Sequence, residues 1–488
     1  MVVPRLLDDA GVAALRDALT GAGYTAGGIA KRLGPAAVDR LAAGDYRDAL
    51  RATEDRDPLA TLVRLFVCAQ TEPPEVVAAA LAPLALPDAV AAGLVTPVEA
   101  GLCQGIDLEA YGEWWVLADL PATARTPGEP LPPDHVLGVG GASTTLAEAT
   151  IRRPVGTALD LGTGCGVQAL HLSTHADRVI ATDVSDRALR FAATTAALAG
   201  LDWELLRGDL AAPVAGRRFD LVVSNPPFVV GPGTATHAYR DSGRPGDALG
   251  AELVAAAPGL LAPGGTMQFL ANWMHVTGED WADRVAGWLD GTGLDAWVIQ
   301  REVADPVAYV NLWLADAAEK ADPQRVAGWL DWFDIHRVEG IGFGLVTLRA
   351  AGHADPTVRI EDLRQRVEPP FGVQVAEWFD RQDWLRDHDL LAARYRVADG
   401  VRLRQEAALG PDGWAVERQV LGLTGGLRWS DEVDPVALAL VAGCDGNVPL
   451  ASQLTVLAAA YEVPEEDLVA VARPIVAHLV ERGFLCAL

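Results

Sequence analysis

The sequence predicts an α/β fold: a doubly wound parallel sheet in the middle of the chain, with mainly helical modules on either side. Three observations support this prediction. Short apolar runs alternate with helical stretches from about residue 135 to 350, a proline-rich stretch precedes them, and helical spacing dominates both ends of the chain. Apolar runs separated by helices are typical of buried parallel strands with crossover connections.

Length and composition set the broad class of the protein. At 488 residues the chain is too long for one ordinary hydrophobic core, so two or three domains are expected. No run of about 18 apolar residues is free of charges and helix breakers, which predicts neither a transmembrane span nor a membrane partner. The N-terminus shows no secretory signal. The five cysteines are widely spaced, which predicts no disulfide framework and no metal site, and favours the cytoplasm.

The net charge bears on the choice of partner. It is −27 at pH 7, and arginine carries nearly all of the positive charge. Proteins that grip a long phosphate backbone usually present a basic patch, because neutralising phosphates releases counterions and supplies much of the affinity. The acidity therefore disfavours extended RNA or DNA binding, although a local basic patch is compatible with it.

Residues 1–120 form the predicted N-terminal module. Gly11–Ala22 and Pro58–Ala69 place apolar residues at helical spacing. The glycine-containing stretch Ala92–Leu120 predicts a small β-ribbon, so that the module resembles a winged helix. A scaffold or lid is favoured for it over nucleic-acid reading. A proline-rich linker at residues 121–134 follows.

The central domain is predicted at residues 135–350 and a C-terminal α/β to helical module at residues 351–488. In the latter, Pro435–Leu488 predicts three amphipathic helices and a short final strand. Packing or partner docking is favoured there over DNA reading. The expected strands of the central domain are Val155–Leu161, Arg178–Asp183, Phe219–Ser224, Thr266–Ala271 and Trp297–Arg301.

A glycine-rich turn follows the first of these strands, in the stretch Asp160-Leu161-Gly162-Thr163-Gly164-Cys165-Gly166. Glycines let the backbone turn sharply and approach a ligand closely. The spacing G-x-G-x-G differs from the dinucleotide fingerprint G-x-G-x-x-G. An aspartate before the glycines suits a ligand with a cationic centre and an amino-acid end, whereas a simple tight turn is the alternative.

Two more carboxylates lie at predicted strand ends. Asp183 ends the second strand and can accept hydrogen bonds from both hydroxyls of a ribose; the alternative is a cap for the following helix. Asp209 could accept from the exocyclic amine of an adenine while Leu210 packs on the ring. Turn chemistry alone is the alternative for this pair.

The sharpest signal is Asn225-Pro226-Pro227-Phe228, directly after the strand Phe219–Ser224. Ligands bind at the carboxyl ends of strands in open α/β sheets. An amide or aromatic amine nitrogen is a poor nucleophile, because its lone pair is delocalised, so it needs acceptors that draw it toward tetrahedral geometry. The Asn225 side-chain oxygen and the Pro226 carbonyl can accept from an NH₂ group, two prolines fix that carbonyl, and Phe228 offers a flat face.

Four features follow one another along the chain: D-L-G-T-G-C-G, an acidic strand end, G-D and N-P-P-F. In this order they resemble the motifs of the class I S-adenosylmethionine-dependent methyltransferases of the small-domain type. Within that class the chain is similar to release-factor glutamine methyltransferases and to enzymes that methylate exocyclic amines of nucleobases. The resemblance covers residues 135–350, and implies a seven-stranded sheet and S-adenosyl-L-methionine as the cofactor. It implies the following roles: Asp160, Gly162, Thr163, Gly164 and Gly166 around the methionine part, Asp183 on the ribose, Asp209 and Leu210 on the adenine, and Asn225, Pro226, Pro227 and Phe228 as the catalytic loop.

The segment before the first strand supplies two further cofactor candidates, Gly141 and Thr144, because this position commonly closes over the cofactor in the class that the chain resembles. The alternative is a loop followed by an N-capped helix.

The resemblance implies N-methylation of a planar NH₂ group. A glutamine side-chain amide of a protein is favoured, because the stretch Tyr239–Leu249 resembles the corresponding segment of the glutamine enzymes. The alternative is an exocyclic amine of adenine or guanine in RNA or DNA. Small-molecule N-methylation comes next, and a catalytically silent binding module last, because a silent scaffold has no need of the Asn225 loop.

Overall fold

A computed structural model of the chain describes residues 3–121, 124–125, 131–233, 239–316, 323–411 and 413–488. Parts of the predicted linker, at residues 122–123 and 126–130, lie outside the described residues. The chain divides into two compact units, one of Met1–Ala147 with Arg153–Leu363 and one of Glu148–Arg152 with Arg364–Leu488. None of the described helices is both long enough and apolar enough to cross a membrane.

The central sheet confirms the predicted doubly wound α/β fold, with eight strands where seven were expected. Its strands are β5 (Val155–Leu161), β6 (Ala176–Asp183), β7 (Glu204–Arg207), β8 (Phe219–Ser224), β9 (Leu261–Val276), β10 (Asp295–Ala304), β11 (Val338–Arg349) and β12 (Val358–Asp362). They lie in the order β12-β10-β11-β9-β8-β5-β6-β7. β11 is antiparallel to both neighbours, and the other neighbouring pairs are parallel. The additional strand is β12, which pairs with β10.

Helices connect these strands and form the core with them. They are α8 (Gly141–Ala149), α9 (Val167–Leu172), α10 (Asp186–Ala199), α11 (Ala248–Leu260), α12 (Trp281–Leu289), α13 (Pro306–Asp316) and α14 (Pro323–Ile335). One buried cluster joins β8 and β9 to α11 and α12, through side chains such as Val222, Phe269 and Leu253. A second joins the far end of β9 to α13 and α14, around Tyr309 and Phe333.

The N-terminal module is helical and ends in two hairpins, as the sequence predicts. Its helices are α1 (Asp9–Ala22), α2 (Ala26–Leu33), α3 (Pro35–Ala42), α4 (Arg47–Arg51), α5 (Pro58–Leu62), α6 (Pro74–Leu81) and α7 (Leu86–Ala91). The hairpins pair β1 (Val95–Val98) with β2 (Gly101–Gln104), and β3 (Asp107–Tyr111) with β4 (Trp114–Ala118). The predicted helix Pro58–Ala69 is interrupted after α5 by a π-helical turn at Val63–Val67.

This module packs on α10 within the same compact unit. Arg16 of α1 donates through Nε to the carbonyl oxygen of Leu198 over 2.9 Å. The Thr194 hydroxyl accepts from the N–H of Leu6 over 3.0 Å, and the Thr195 hydroxyl accepts a backbone N–H of β4 over 3.4 Å. Both threonines are fully buried, so the module covers one face of α10.

The second unit contains the predicted C-terminal helices and a hairpin that the sequence analysis missed. Its elements are α15 (Phe371–Asp387), β13 (Arg394–Val397), β14 (Val401–Gly410), β15 (Gly413–Leu423), β16 (Ser430–Glu432), α16 (Pro435–Ala442), β17 (Asp445–Pro449), α17 (Leu450–Tyr461), α18 (Glu465–Glu481) and β18 (Leu485–Ala487). The hairpin of β14 and β15 is mostly exposed. Its apolar residues alternate with charged ones, as in Val401-Arg402-Leu403-Arg404, so the pattern of a strand was present and was overlooked.

Candidate active site

The glycine turn after β5 is fixed by hydrogen bonds to β6. The N–H groups of Gly162 and Thr163 both donate to the carbonyl oxygen of Thr182 over 2.9 Å. The Gly164 N–H donates to the Asp183 carboxylate, also over 2.9 Å. The end of β6 therefore sets the shape of the turn, and the structure brings these predicted cofactor residues together.

The last glycine of the turn, Gly166, is required by both its backbone and its surroundings. Its φ is 95°, in the left-handed region that favours glycine. A Cβ at this position would lie 2.7 Å from the indole ring of Trp203. Gly166 is also the residue from which α9 starts, so the turn leads directly into a helix N-terminus.

Asp160 is completely buried at the end of β5. Neither of its carboxylate oxygens meets a donor at hydrogen-bonding geometry among the described residues. Burial raises the pKa of this carboxyl to about 7; the charge of Asp183 acts in the same direction, while the nearby Thr163 hydroxyl opposes it. A buried carboxylate without a partner is costly, so a cationic ligand beside it would be favourable.

Asp183 lies at the end of β6 with both oxygens engaged by backbone. Oδ2 accepts from Gly164, and Oδ1 accepts from the N–H of Ser185 over 2.9 Å. The N-cap of α10 is Ser185, whose hydroxyl accepts from the N–H of Ala188. Burial raises the pKa of Asp183. Because a carboxylate offers about four acceptor positions, each oxygen retains capacity for a ligand.

The predicted adenine residues follow β7. Asp209 is exposed, and its Oδ2 accepts from Nη2 of Arg244 over 2.9 Å. Arg244 also pairs with Glu252, so Asp209 is already engaged by a cation that the sequence analysis missed. Leu210 has a left-handed φ of 44° and packs partly against the core. Its carbonyl oxygen accepts from the Thr182 hydroxyl over 3.1 Å.

The Asn225 loop reaches the same edge of the sheet, because β8 is the parallel neighbour of β5 and Ser224 lies opposite Leu161. This is also where the order of the strands reverses, a position at which open α/β sheets bind ligands. The side-chain Nδ2 of Asn225 donates to the hydroxyl of Ser143 over 3.3 Å. Among the described residues, none donates a hydrogen bond to its Oδ1.

The far end of the loop is held by residues that the sequence analysis did not identify. The ring of Phe228 lies 5.9 Å from that of Trp313 at an interplanar angle of 67°. The backbone of Phe228 pairs with that of Asp241. The side chain of Arg240 is buried, forms an ion pair with Asp241 at 2.9 Å, and donates to the Trp313 carbonyl over 3.0 Å.

Tyr309 is a second anchor that was missed. Its ring is buried, and its hydroxyl oxygen accepts from the backbone N–H of Val230 over 2.8 Å and from Nδ2 of Asn272 over 2.9 Å. Burial raises the pKa of this phenol well above its usual range. Tyr309 thus fixes the chain just beyond Phe228 to β9.

The two residues predicted to close over the cofactor lie in the first turn of α8. The Thr144 hydroxyl donates to the carbonyl oxygens of Gly140 and Gly141, over 3.3 and 3.0 Å, and so turns toward its own helix. The residue that faces Asn225 is its neighbour Ser143. The carbonyl oxygen of Ser143 accepts from Nε2 of Gln168 over 2.7 Å.

A cavity of about 300 Å³ lies beside the residues that follow the catalytic loop. Chain on both sides of the undescribed residues 234–238 contributes to its lining, together with the start of α14. Its polar side chains include Asp241, Ser242, Arg244 and Arg325, and Trp329 provides an aromatic wall. This volume lies at the lower end of the range for small-ligand pockets.

A doubly wound sheet with a glycine turn and an Asn-Pro-Pro-Phe loop at one edge defines the central part of the chain as a class I methyltransferase fold. The comparison with protein families agrees, since residues 138–279 match the family model described as "Methyltransferase small domain". The middle of the chain is therefore similar to a methyltransferase small domain over these residues. Two models described as "Domain of unknown function", DUF7059 and DUF7782, match residues 21–105 and 376–487.

Curated relatives share this middle part. A "Release factor glutamine methyltransferase" of Deinococcus radiodurans is 36% identical over 144 residues, which are 27% of this chain and 50% of that protein. A "Ribosomal RNA small subunit methyltransferase C" of Alcanivorax borkumensis is 37% identical over 117 residues, 24% of this chain and 32% of that protein. The chain thus spans half or less of the length of these relatives. A solved structure titled as a putative sarcosine dimethylglycine methyltransferase from Galdieria sulphuraria aligns with 43% of this chain and 84% of its own, at 15% identity and a TM-score of 0.30.

Proposed function

We propose that this chain is an S-adenosylmethionine-dependent N-methyltransferase whose acceptor is the side-chain amide of a glutamine in a protein. One observation carries the proposal. The ends of neighbouring strands β5 and β8 present at the same edge of the sheet the Asn225 loop and the buried carboxylate of Asp160, which no described residue meets at hydrogen-bonding geometry. The first group suits a cationic cofactor, and the second suits an NH₂-bearing acceptor.

The residues around the glycine turn fit S-adenosylmethionine. Its ammonium and sulfonium groups are positive, and the buried Asp160 carboxylate meets no donor at hydrogen-bonding geometry within the described ranges. Asp183 retains acceptor capacity for the ribose hydroxyls, and we assign Asp209 with Leu210 to the adenine. Gly162, Thr163, Gly164 and Gly166 would surround the methionine part, with Gly141 and Thr144 over it. The bound cofactor supplies a methyl group activated by a positive sulfur.

The catalytic loop acts on the acceptor nitrogen. In our proposal the Oδ1 of Asn225 and the carbonyl oxygen of Pro226 accept the two N–H bonds of the acceptor. They stabilise the positive charge that develops as the nitrogen attacks. Pro226 and Pro227 fix the direction of that carbonyl. Phe228, whose ring packs against that of Trp313, offers a face for the planar group.

The glutamine substrate is supported by the relative from Deinococcus radiodurans and by the net charge of −27, which disfavours a polyanion. We assign the catalytic domain to residues 135–350 together with β12 (Val358–Asp362), which completes its sheet, and flanking roles to residues 1–120 and to the chain beyond β12. The five cysteines carry no disulfide, which supports action in the cytoplasm.

An exocyclic amine of RNA is the second candidate. It is favoured by the relative from Alcanivorax borkumensis, which matches the same domain at a similar identity. The cavity beside the loop, with Arg244, Arg325 and Trp329 on its walls, also has the chemistry to hold a base and its phosphate.

The test uses radiolabelled S-adenosylmethionine with extract from a strain that lacks this gene. Wild-type protein and the Asn225→Ala variant are compared, and each labelled sample is divided between protease and nuclease. We expect wild-type-specific label that only protease removes. Label removed only by nuclease would replace glutamine by the RNA candidate. Equal labelling by Asn225→Ala would overturn the proposed N-methyltransferase mechanism.

A further inference from the structure

We propose that Ser143 is a positioning residue that orients the amide of Asn225, and that Glu109 of the N-terminal module holds the segment carrying Ser143 in place. This inference rests on the proposed role of Asn225 in N-methyl transfer. It gives the N-terminal module a role in positioning the catalytic residues. Glu109 lies outside both the Asn-Pro-Pro-Phe motif and the matched methyltransferase family model, which begins at residue 138.

The first step concerns the two ends of the Asn225 amide. Only the amide oxygen can accept a hydrogen bond from the NH₂ group of the substrate. The amide nitrogen is itself a donor, so it cannot accept one. The hydroxyl of Ser143 accepts from Nδ2 over 3.3 Å. With the nitrogen engaged in this way, Oδ1 is the end of the amide that remains for the substrate.

The second step is that Ser143 is itself tied to the glycine turn. Its carbonyl oxygen accepts from Nε2 of Gln168 over 2.7 Å. Gln168 is a buried polar residue in the first turn of α9, two positions after Gly166. The hydroxyl that orients Asn225 is thereby attached to the backbone that surrounds the proposed cofactor position.

The third step leads to the N-terminal module. Asp107 and Glu109 occupy alternate positions of β3 and so share one face of its hairpin. The carboxylate of Glu109 lies beside the backbone of this segment: its Oε2 would be 4.0 Å from a Cβ on Gly138, and the N–H of the next residue, Val139, acts to lower its pKa. Gly138 lies so close that a Cβ on it would be 3.1 Å from Oδ2 of Asp107. The hairpin therefore fixes the chain four to five residues before Ser143.

Burial also affects the charge of these two carboxyls. It raises the pKa of Asp107 to about 6 and that of Glu109 to about 7, and the charge of Asp107 adds to the effect on Glu109. The backbone of Val139 offsets part of this cost for Glu109. The segment before α8 is thus in close contact with two carboxyls of β3.

The experiment measures two quantities for each variant: the single-turnover rate of methyl transfer at saturating S-adenosylmethionine, and the Kd for the cofactor by calorimetry. The acceptor is the extract fraction that the wild-type protein labels. The variants are Ser143→Ala, Ser143→Thr, Glu109→Ala and Glu109→Gln. Glu113→Gln, an exposed carboxylate in the turn of the same hairpin, is the matched control.

We expect Ser143→Ala to lower the transfer rate about 10- to 100-fold, the scale of loss for a misplaced catalytic group, with the cofactor Kd within about twofold of wild type. Ser143→Thr restores the hydroxyl and should restore the rate. Glu109→Ala should show the same kind of loss and Glu109→Gln a smaller one, because the amide keeps the size and an acceptor oxygen of the carboxyl beside Gly138 and Val139. Glu113→Gln should match the wild-type protein.

Two outcomes overturn the inference while the proposed function stands: a wild-type rate in Ser143→Ala, or a loss that Ser143→Thr does not relieve. The combination with Asn225→Ala separates the two proposals. Ser143→Ala should have no further effect in that background, because the two residues act as one unit. Full activity of Asn225→Ala alone would instead remove the proposed function on which the inference rests. Alanine favours helices, so Ser143→Ala is expected to fold.

Discussion

The hydroxyl of Ser224 donates a hydrogen bond to the carbonyl oxygen of Leu161 over 2.8 Å and joins the last residue of β8 to the last residue of β5. Both residues are completely buried. Leu161 immediately precedes the glycine turn, and Ser224 immediately precedes Asn225. This bond therefore sets the separation between the proposed cofactor turn and the catalytic loop.

Ser224→Ala should lower the free energy of unfolding by about 1–3 kcal/mol, because it leaves a buried carbonyl oxygen without its donor. The same change should slow methyl transfer, since the two halves of the site lose a fixed separation. Urea unfolding and single-turnover kinetics measure these effects. Unchanged values in both assays would show that the bond is dispensable.

Asn225→Ala should reduce methyl transfer by about 10²–10³-fold or more, the scale seen when one preorganised polar group is removed from a catalytic site. Its cofactor Kd should stay close to the wild-type value, because the proposed role of Asn225 is to contact the acceptor and not the cofactor. Labelling kinetics and calorimetry on the same preparation test this. A large loss of cofactor affinity would reassign Asn225 to cofactor binding.

The affinity for S-adenosylmethionine should depend on pH through Asp160. Burial raises the pKa of this carboxyl to about 7, and a cationic ligand favours its ionised form. Binding is then coupled to proton release near pH 7, and the affinity should rise between pH 6 and pH 8. Asp160→Asn should bind more weakly and lose this dependence. Calorimetry in buffers of different ionisation enthalpy measures the released proton; no release from the wild-type protein would contradict the assignment.

The same carboxyl should make the ligand-free protein less stable at alkaline pH. Its pKa is about 7 when folded and near 3.8 when unfolded, so the folded state binds the proton more tightly. The resulting stabilisation is fully present below about pH 4 and is lost as the pH rises through 7. Asp160→Asn should therefore gain in melting temperature, relative to the wild-type protein, from pH 5 to pH 8. A constant difference would contradict this account.

Gly166→Ala should destabilise the protein by about 1–3 kcal/mol, because φ is 95° and the new methyl group would meet Trp203. Gly287 in α12 is the matched control, since a Cβ there would meet nothing within 4 Å. Gly287→Ala should stabilise the protein by up to about 1 kcal/mol. Thermal unfolding of both variants tests the contrast, and equal effects would argue against strain at Gly166.

Local sequence patterns predicted the strands that are buried on both faces of the sheet. β5 and β8 have the bounds expected from their apolar runs, because strands buried on both faces need apolar residues at nearly every position. β12 was missed for the opposite reason. It is a short edge strand, Val358–Asp362, in which three of five residues are charged, and only its pairing with β10 identifies it.

The candidate site shows the same difference between local and distant features. Asp160 and Asn225 were proposed because each stands in a motif a few residues long. Ser143 lies 82 residues before Asn225, and Arg244 lies 35 residues after Asp209. No spacing in the sequence encodes such contacts, since the path of the sheet creates them. Ser143 was not named because the sequence does not reveal which residue of a helix turn faces the Asn225 loop.

The contact between α10 and the N-terminal module limits how the two surfaces can change in evolution. The hydroxyls of Thr194 and Thr195 accept hydrogen bonds from the N-terminal module, whereas an independent domain would present them to water. A fragment limited to residues 138–279 would expose that face and would also lack β10, β11 and β12. We therefore do not expect the methyltransferase domain of this chain to fold as an independent unit. Substitutions on α10 and on the surface of α1 and β4 must be accepted together, and we expect the two surfaces to covary among descendants of this chain.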